Sequence, residues 1–432
     1  MAYSEADQQR RDQAIAAYQA DANNALALLQ SARVHLPLDG GLLISEAGAL
    51  IAQDDQAALD NLTAVLDQAP DWIDGHIALA QFRFEKADPD YLAQIEKALQ
   101  LSGPKAALWR LYMQLLADGG QARRACDTAL SLRKKGAPAK ELMLLEARYA
   151  GLAGLHDRAG RLFAQLPGDW EIKNLDETRH QMRIQDFAKA DKLLQVLRDQ
   201  NSEQVTVWAL TELCWRIMDD PRHSWLLPEP LMPVQINLHC DAALVQSLSQ
   251  LLHKWHHSKS RPLSQSVRHG SQTRGNLFFR RNGEIAELKQ SFMAAITDYI
   301  GSWPAEDPDH PLLHHRDQKM ALTAGWSILI KPPGHHVSHV HDGGLISSAF
   351  HIGIPQQSET GNGGGALELG RAPIDLACDV EPLTHFQPKA GHLVLFPSFL
   401  YHGTRPIDRG ERLTIAFDAG AVGAGAVGTD GA

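Results

Sequence analysis

The sequence predicts a multidomain α + β protein in which an N-terminal α-helical repeat domain precedes a C-terminal double-stranded β-helix, or jelly roll, with flanking helices. Through residues 5–225, apolar side chains recur three and four positions apart, which is the period of amphipathic helices. The breaks between these runs contain Gly, Pro or Asp and recur at a nearly constant interval. From about residue 320, short runs of β-forming residues bounded by Gly or Pro replace the helical pattern, as in a β-sandwich or barrel.

The breaks in the helical part have a period. Pro70, Pro104 and Pro138 are each 34 residues apart, and Pro37 precedes Pro70 by 33 residues. A period of 34 with a proline after the second helix is typical of tetratricopeptide repeats. The Trp-Leu-Gly-Tyr positions of that consensus are poorly kept, so the repeats are degenerate. The alternative is a generic helical array without a binding groove.

A change in composition places the domain boundary. Residues 226–235 are rich in proline, and we expect them to cross between domains. The predicted division is a helical repeat domain over 1–225, a jelly-roll domain over 226–420 and a flexible Gly/Ala tail over 421–432. Within the second domain, helical patterns cover 237–260 and 283–302.

Length and charge restrict the function classes. The chain has 432 residues, more than one ordinary domain needs, and a formal net charge of −10. That charge argues against nucleic acid or an anionic membrane surface as the main partner. The N-terminus is polar and no run of about 18 apolar residues occurs, so neither a signal peptide nor a membrane span is predicted. Four widely spaced cysteines indicate a reducing compartment, and we expect a cytoplasmic protein of unknown oligomeric state.

Two histidines in the β-rich part have the spacing of metal ligands. His339 and His341 are two residues apart in the segment HVHDGG, which follows a predicted strand and a PPG turn. Side chains two apart on a strand share a face, so both imidazoles can bind one ion. This motif alone is weak, because surface or core histidines explain it equally well.

A later segment strengthens the case. His402 follows an apolar strand, and ten residues later Arg412 and Thr414 fall on the same face of a predicted strand as Ala416. The opposite face is apolar and is predicted to pack outward. A guanidinium beside a hydroxyl is suited to a ligand that carries a carboxylate. The alternative for Arg412 is a surface salt bridge.

These motifs in combination resemble the 2-oxoglutarate/iron(II) oxygenase family of bacteria and phages. The resemblance covers roughly residues 235–420 and includes the segment AGHLVLFPSFLYH, which leads up to the last histidine, His402. More distantly, the chain is similar to aspartyl/asparaginyl β-hydroxylases, which also join tetratricopeptide repeats to such a barrel. The resemblance implies Fe(II), 2-oxoglutarate and O2 as cofactor and co-substrates. It implies that His339, His341 and His402 hold the metal, and that Arg412 and Thr414 grip the distal carboxylate of 2-oxoglutarate.

The ligand set departs from the usual two histidines and one carboxylate. Three arrangements are open. Three histidines bind the metal, which we favour; or a bulge brings Asp342 in as a ligand; or His341 is the first ligand and Gly343 occupies the carboxylate position. His351, on the next predicted strand, is assigned to the cofactor site as a donor to the 1-carboxylate.

Other motifs receive weaker assignments. Trp326 is predicted to be a core residue, residues 361–365 a hairpin turn, and residues 264–275 a polar loop or lid. The doublets at 256–257 and 314–315 are given no role.

The predicted function is a dioxygenase that hydroxylates a protein or peptide side chain held partly by the repeats. One alternative is a zinc or other-metal hydrolase, or a cupin-like enzyme, that uses the same histidines. That alternative leaves Arg412 and Thr414 without a purpose. The other is a catalytically inactive repeat scaffold for protein binding.

Overall fold

The structure is a computed structural model, and its described residues form eight stretches along the chain. Pro104, Pro138, His257 and part of the predicted hairpin turn at 361–365 lie outside them. So do part of the predicted lid, which includes residues 264, 265 and 274, and the tail from 423 onward. The described stretches are 3–19, 22–53, 56–101, 105–136, 139–256, 266–273, 275–356 and 363–422.

The helical prediction for the first half is confirmed. Among the described residues, sixteen α-helices occur, and fourteen of them precede the first strand. Their bounds are α1 Glu5–Gln19, α2 Ala25–His35, α3 Gly40–Ala52, α4 Ala57–Gln68, α5 Ile73–Glu85, α6 Ala93–Leu101, α7 Ala106–Asp118, α8 Ala122–Lys134, α9 Ala139–Leu152, α10 His156–Phe163, α11 Glu171–Arg183, α12 Phe187–Gln200, α13 Val205–Ile217, α14 Arg222–Leu226, α15 Ala242–His253 and α16 Gly283–Gly301.

The β-rich half forms two antiparallel sheets. One has six strands in the order β1-β7-β4-β9-β3-β2, and the other has three in the order β6-β5-β8. Helices followed by antiparallel sheets were predicted, and this coarse architecture is confirmed. The strands are β1 Val234–Asn237, β2 Val267–Gln272, β3 Met320–His336, β4 Ile346–Gly353, β5 Leu367–Leu369, β6 Thr384–Phe386, β7 His392–Pro397, β8 His402–Thr404 and β9 Arg412–Ala421.

Two local predictions need correction. The helix expected over 237–260 begins only at Ala242, because Asp241 caps it by accepting a hydrogen bond from the Ala243 amide. The segment before it pairs as β1 with β7 instead. The predicted loop at 264–275 contains strand β2, which pairs with β3 with an irregularity in register between Arg268 and Gly270. A Cβ on Gly270 would lie 2.4 Å from the Leu329 carbonyl oxygen, so only glycine fits this close approach.

The apolar face of β9 packs as predicted. Phe417 stacks on Phe292 of α16 with ring centroids 4.6 Å apart, and Phe292 also contacts Phe350 of β4 at 5.4 Å. The helix of residues 283–302 predicted from the sequence thus covers the outer face of the large sheet. This packing leaves the polar face of β9 directed away from α16.

One hydrophobic core extends across the predicted boundary at residue 225. It begins at Met182 on α11, includes most of α13, and continues through the large sheet to Ala421. Nearly all of α13 is buried, with Trp208, Leu210 and Leu213 in this core. The last helices of the helical half therefore pack as part of the same body as the sheets.

Among the described helices, none combines the length and the apolar character that crossing a lipid bilayer requires.

Candidate metal and carboxylate site

Three predicted histidines meet where the two sheets join. His339 and His402 form an isolated antiparallel bridge, exchanging amide-to-carbonyl hydrogen bonds of 3.0 and 2.9 Å. His341 lies two residues further along, and the ligand atoms of all three side chains lie within 4.8 Å of one another. The structure thus brings the imidazole of His402 to two others that precede it by more than 60 residues in the chain.

The second nitrogen of each ring is anchored. Nδ1 of His339 lies 2.9 Å from the Val337 carbonyl oxygen, and Nδ1 of His402 lies 3.1 Å from that of Leu400. A carbonyl oxygen only accepts, so these Nδ1 atoms carry the protons and each Nε2 keeps a lone pair. Metal-bound histidines are held in this way. Burial lowers the pKa of both histidines well below the usual value, which keeps the rings neutral.

Asp418 holds the third ring, and sequence reasoning missed it. Its Oδ1 lies 3.3 Å from His341 Nδ1 and accepts a 2.7 Å hydrogen bond from Ser347. Burial lowers the pKa of His341, but the charge and hydrogen bond of Asp418, together with the charge of Asp342, outweigh burial and raise that pKa above its usual value. The alternation that placed Arg412, Thr414 and Ala416 on one face of β9 also places Asp418 there, so the signal was present in the sequence.

The Nε2 atoms of two of the rings face one another, and the Ser266 hydroxyl oxygen also lies 3.1 Å from Nε2 of His339. Nε2 of His339 and Nε2 of His341 are 3.0 Å apart. Two lone pairs at that distance repel unless a proton or a cation lies between them. The donor set of three imidazoles with anchored Nδ1 atoms fits a first-row divalent metal ion.

The two other proposed sources of a ligand point elsewhere. Asp342 Oδ1 accepts hydrogen bonds from the amide and hydroxyl of Thr206, at 3.1 and 2.7 Å, at the start of α13. The Gly343 carbonyl oxygen accepts from the hydroxyl of Thr323 at 3.1 Å. Of the three arrangements left open, this geometry favours the set of three histidines.

Arg412 is a buried charge on the polar face of β9. Its side chain is 2% exposed, so the surface salt bridge considered as an alternative is excluded. Within the described stretches it has no carboxylate partner. It donates one long hydrogen bond of 3.4 Å to the Thr414 hydroxyl, and its Nε has no acceptor there. Burial alone lowers the pKa of Arg412 to about 10. Buried charges are normally paired, so these features fit an anionic ligand.

Two buried histidines next to Arg412 also have unused nitrogens. His351 is the cross-strand partner of Thr414, and within the described stretches neither of its ring nitrogens has a hydrogen-bond partner. His336, which the sequence did not single out, stacks on His339 with centroids 5.5 Å apart, and its Nε2 also has no partner there. Burial, then the Arg412 charge, lowers the pKa of both rings well below the usual value.

Each buried polar atom without a partner costs about 1–3 kcal/mol. Such a concentration of unsatisfied donors and acceptors in one place fits a site built for a polar ligand. A carboxylate at Arg412 and further oxygens near His351 and His336 would satisfy them. The residues present therefore fit a dicarboxylic acid beside a metal ion.

Trp326 is closer to the site than predicted. It is only partly buried, and its ring meets that of His341 edge-on with centroids 5.2 Å apart. It packs with the buried Ile328, Ile330 and Ile407 in a small apolar cluster. Ile330 and Ile328 lie directly opposite Arg412 and Thr414 on β3 and β9, so this cluster borders the polar site.

A family comparison covers the centre of this region. Residues 324–418 match the model of a family described as "Putative 2OG-Fe(II) oxygenase". The resemblance inferred from the motifs is thereby confirmed for this segment. The predicted Fe(II), 2-oxoglutarate and O2 are confirmed at the level of the family. No curated protein matches the chain.

Solved structures of several oxygenases are similar to part of the chain. The viral collagen prolyl hydroxylase of Paramecium bursaria Chlorella virus-1, in complex with 2-oxoglutarate, has 14% identity and a TM-score of 0.30, covering 44% of this chain and 96% of that one. A prolyl-4-hydroxylase of Pseudomonas putida has 19% identity and a TM-score of 0.29, covering 43% of this chain and 90% of that one. HygX of Streptomyces hygroscopicus, with nickel and 2-oxoglutarate bound, has 14% identity and a TM-score of 0.32, covering 47% of this chain and 87% of that one.

Proposed function

We propose that this chain, whose residues 324–418 match a 2-oxoglutarate/Fe(II) oxygenase family, is a dioxygenase that hydroxylates a protein or peptide side chain. The observation that carries the proposal is the buried guanidinium of Arg412, without a carboxylate partner in the described stretches, on the same strand as Asp418, which holds His341. A metal-dependent hydrolase needs the three histidines but has no use for the buried Arg412 guanidinium. An enzyme with a dicarboxylic co-substrate uses both the histidines and the guanidinium.

Each residue has one task in this proposal. His339, His341 and His402 hold Fe(II) through Nε2, and Asp418 orients His341. Arg412 and Thr414 bind the distal carboxylate of 2-oxoglutarate, since a guanidinium can donate two parallel hydrogen bonds. His351 donates to the 1-carboxylate. Bound together, metal and co-substrate supply oxidative decarboxylation that inserts one atom of O2 into a C–H bond.

The surroundings of the site support this assignment. The Ile328, Ile330 and Ile407 side chains keep water from the guanidinium, which strengthens its interaction with a carboxylate. Neutral Nε2 atoms at His339 and His402 remain available as ligands at physiological pH, because burial lowers the pKa of both rings.

The remaining parts of the architecture are proposals as well. We take the two antiparallel sheets as the halves of a jelly roll, and the helices over 1–225 as degenerate tetratricopeptide repeats. Stacked helix pairs form a concave surface that fits an extended or helical segment, which supports a protein or peptide as the substrate. The domain division at 225 and the cytoplasmic location stay predictions.

The test is turnover by the full-length chain. With Fe(II), 2-oxoglutarate and O2 we expect succinate to form. We also expect mass spectrometry of a treated cell extract to detect peptides that have gained one oxygen atom. Hydrolysis with Zn²⁺ and no succinate with Fe(II) would support the hydrolase, and failure to bind any metal would support the inactive scaffold.

A further inference from the structure

A second group of potential metal ligands lies outside the site described above. Glu203 sits in the turn between α12 and α13, while His314 and His315 belong to the short 3-10 helix Leu313–His315 that precedes β3. Nε2 of His314 lies 2.9 Å from one Glu203 oxygen, and Nε2 of His315 lies 3.1 Å from the other. The three ligand atoms lie within 4.8 Å of one another. The sequence alone had given the 314–315 doublet no role.

The hydrogen bonds of His314 fix its tautomer. Its Nδ1 lies 2.6 Å from the His310 carbonyl oxygen, which accepts only, so Nδ1 carries the proton. In the neutral ring Nε2 then presents a lone pair to a carboxylate oxygen at 2.9 Å. That contact is repulsive unless a proton or a cation lies between the atoms. Anchoring of Nδ1 by a backbone carbonyl is the arrangement found at His339 and His402, and it is common in metal-bound histidines.

The chemistry of the three donors selects the kind of ion. Two imidazoles and one carboxylate are ligands that Zn²⁺ accepts, usually with water as a fourth ligand. His315 is buried and His314 largely so, whereas the Glu203 side chain is 56% exposed. Protein atoms therefore enclose the histidine side of the cluster, and solvent can reach the carboxylate side. The two rings lie close together, with centroids 3.6 Å apart, and direct their Nε2 atoms to the same carboxylate.

The cluster lies where two parts of the chain meet. Glu203 precedes α13 and is three residues before Thr206, whose amide and hydroxyl bind Asp342. Asp342 is the chain neighbour of His341. An ion held by Glu203, His314 and His315 would join the start of α13 to the segment that leads into β3. Thr206 of α13 bonds the chain neighbour of His341, and β3 ends at His336, which stacks on His339.

We propose that Glu203, His314 and His315 form a second divalent-cation site, of the kind that binds Zn²⁺, which ties the last helices of the helical half to the sheets. This proposal does not depend on the oxygenase function. It requires only that the three side chains share one ion.

The experiment uses Zn²⁺ as the probe and removes the first site. In the full-length variant His339→Ala/His402→Ala, we expect one tightly bound Zn²⁺ per chain in competition with a chromophoric chelator. Adding Glu203→Gln should weaken this binding by more than about 100-fold, because even residues that only support a ligand change metal affinity by ~10–100-fold. The matched control is Glu411→Gln in the same background. Glu411 also faces one histidine, His253, and the change should leave Zn²⁺ affinity as it was.

Two results would overturn the proposal: no Zn²⁺ bound by the variant without the first site, or equal affinity with and without Glu203→Gln. Either would mean that an imidazolium–carboxylate pair occupies the position. If the double alanine variant does not fold, the ions are counted in the parent and in Glu203→Gln alone. A fall from two Zn²⁺ to one supports the site, and an unchanged count refutes it.

Discussion

At the scale of single residues, the polar atoms inside the β-domain explain why the site needs a ligand. Arg412 and His351 are buried on neighbouring strands, and neither has a charged partner in the described stretches. Removing a charged group from water without pairing it is far more costly than a typical net gain from a hydrogen bond. A folded protein retains such residues when a bound anion repays the cost. Arg412 differs in this respect from exposed arginines of the helical half such as Arg123, which pairs with Asp127 at the surface and remains in contact with water.

Asp418 provides a test of how the third histidine is held. The change Asp418→Ala removes the acceptor from His341 Nδ1, so the ring can rotate and lose its orientation. We expect Fe(II) affinity to fall about 10–100-fold, as for other carboxylates that support a metal-bound histidine. Equilibrium titration with Fe(II) under anaerobic conditions measures it.

The matched control is Asp342→Ala. This carboxylate is next to His341 in sequence but is bonded to Thr206, so Fe(II) affinity should change far less. If the Asp342 variant loses Fe(II) and the Asp418 variant keeps it, the set of three histidines is wrong.

Most of the residues in the site could be predicted, and the exceptions have identifiable causes. Arg412 and Thr414 follow from strand alternation, and the three histidines from their spacing. The strand assumed for His339 and His341 is wrong, because β3 ends at His336 and both residues lie in the segment after it. Asp418 obeys the same alternation and was overlooked because it lies beyond the Arg-x-Thr motif. His336 could not be found this way, since its stacking on His339 depends on how the chain bends after strand β3.

At the scale of elements, α13 is anchored to the loop that carries His339 and His341, two of the candidate metal ligands. Its residue Thr206 donates two hydrogen bonds to Asp342. A carboxylate at the N-terminal turn satisfies amides that have no partner within the helix, and it interacts favourably with the helix dipole. Thus a residue considered as a metal ligand acts as a cap between two parts of the chain.

That contact predicts a change in stability. Asp342→Ala should lower the free energy of unfolding by about 0.5–2 kcal/mol, the range measured for lost N-terminal caps. Urea denaturation followed by circular dichroism measures the difference. The exposed Asp408→Ala is the control and should change stability by no more than about 0.5 kcal/mol. Equal values for the two variants would show that the Asp342 contact is not made in solution.

A buried histidine on helix α11 is expected to make the stability of the protein depend on pH. His180 is buried against Phe163, and burial lowers its pKa to about 4. The unfolded chain, with a histidine pKa near 6.5, binds this proton first as the pH falls. The stability contributed by neutral His180 is therefore complete above pH 6.5 and is lost between about 6.5 and 4, by up to roughly 3 kcal/mol.

The variant His180→Gln cannot titrate, so its stability should fall less steeply than that of the parent over this pH interval. Chemical denaturation at a series of pH values gives the slopes. The exposed His385→Gln should keep the slope of the parent. A His180 variant with the parental slope would show that this ring is not held neutral by burial.

At the scale of the whole molecule, the order of elements was predictable but their packing was not. Helices in the first half and strands in the second follow from the periods of the hydrophobic pattern. The change in composition near residue 226 is equally plain in the sequence. Yet the core that begins at Met182 continues through α13 into the large sheet, because contacts between distant segments leave no periodic signal. A break in composition thus need not be a break in packing.

Two truncations test this organisation. Removing residues 1–170 deletes α1–α10, whose buried residues form separate cores, and leaves the core that starts at Met182. We expect a folded protein that turns over 2-oxoglutarate without coupling and no longer hydroxylates its protein target. Removing 1–225 also takes away Trp208 and Leu213, so we expect loss of cooperative unfolding. Thermal denaturation and succinate release measure both effects.

If the protein without residues 1–225 unfolds as cooperatively as the one without 1–170, α11–α13 are dispensable for the core. If the protein without residues 1–170 keeps full activity on the target, the helices do not hold the substrate.

The most direct measurement is the visible spectrum of the anaerobic full-length protein with Fe(II) and 2-oxoglutarate. The parent should develop the weak charge-transfer band of an iron-chelated 2-oxo acid. Arg412→Ala should bind Fe(II) as before but need a far higher 2-oxoglutarate concentration to reach the same band. A parent without the band, or an Arg412→Ala variant with parental affinity for 2-oxoglutarate, would contradict the pairing of a three-histidine metal site with a buried guanidinium.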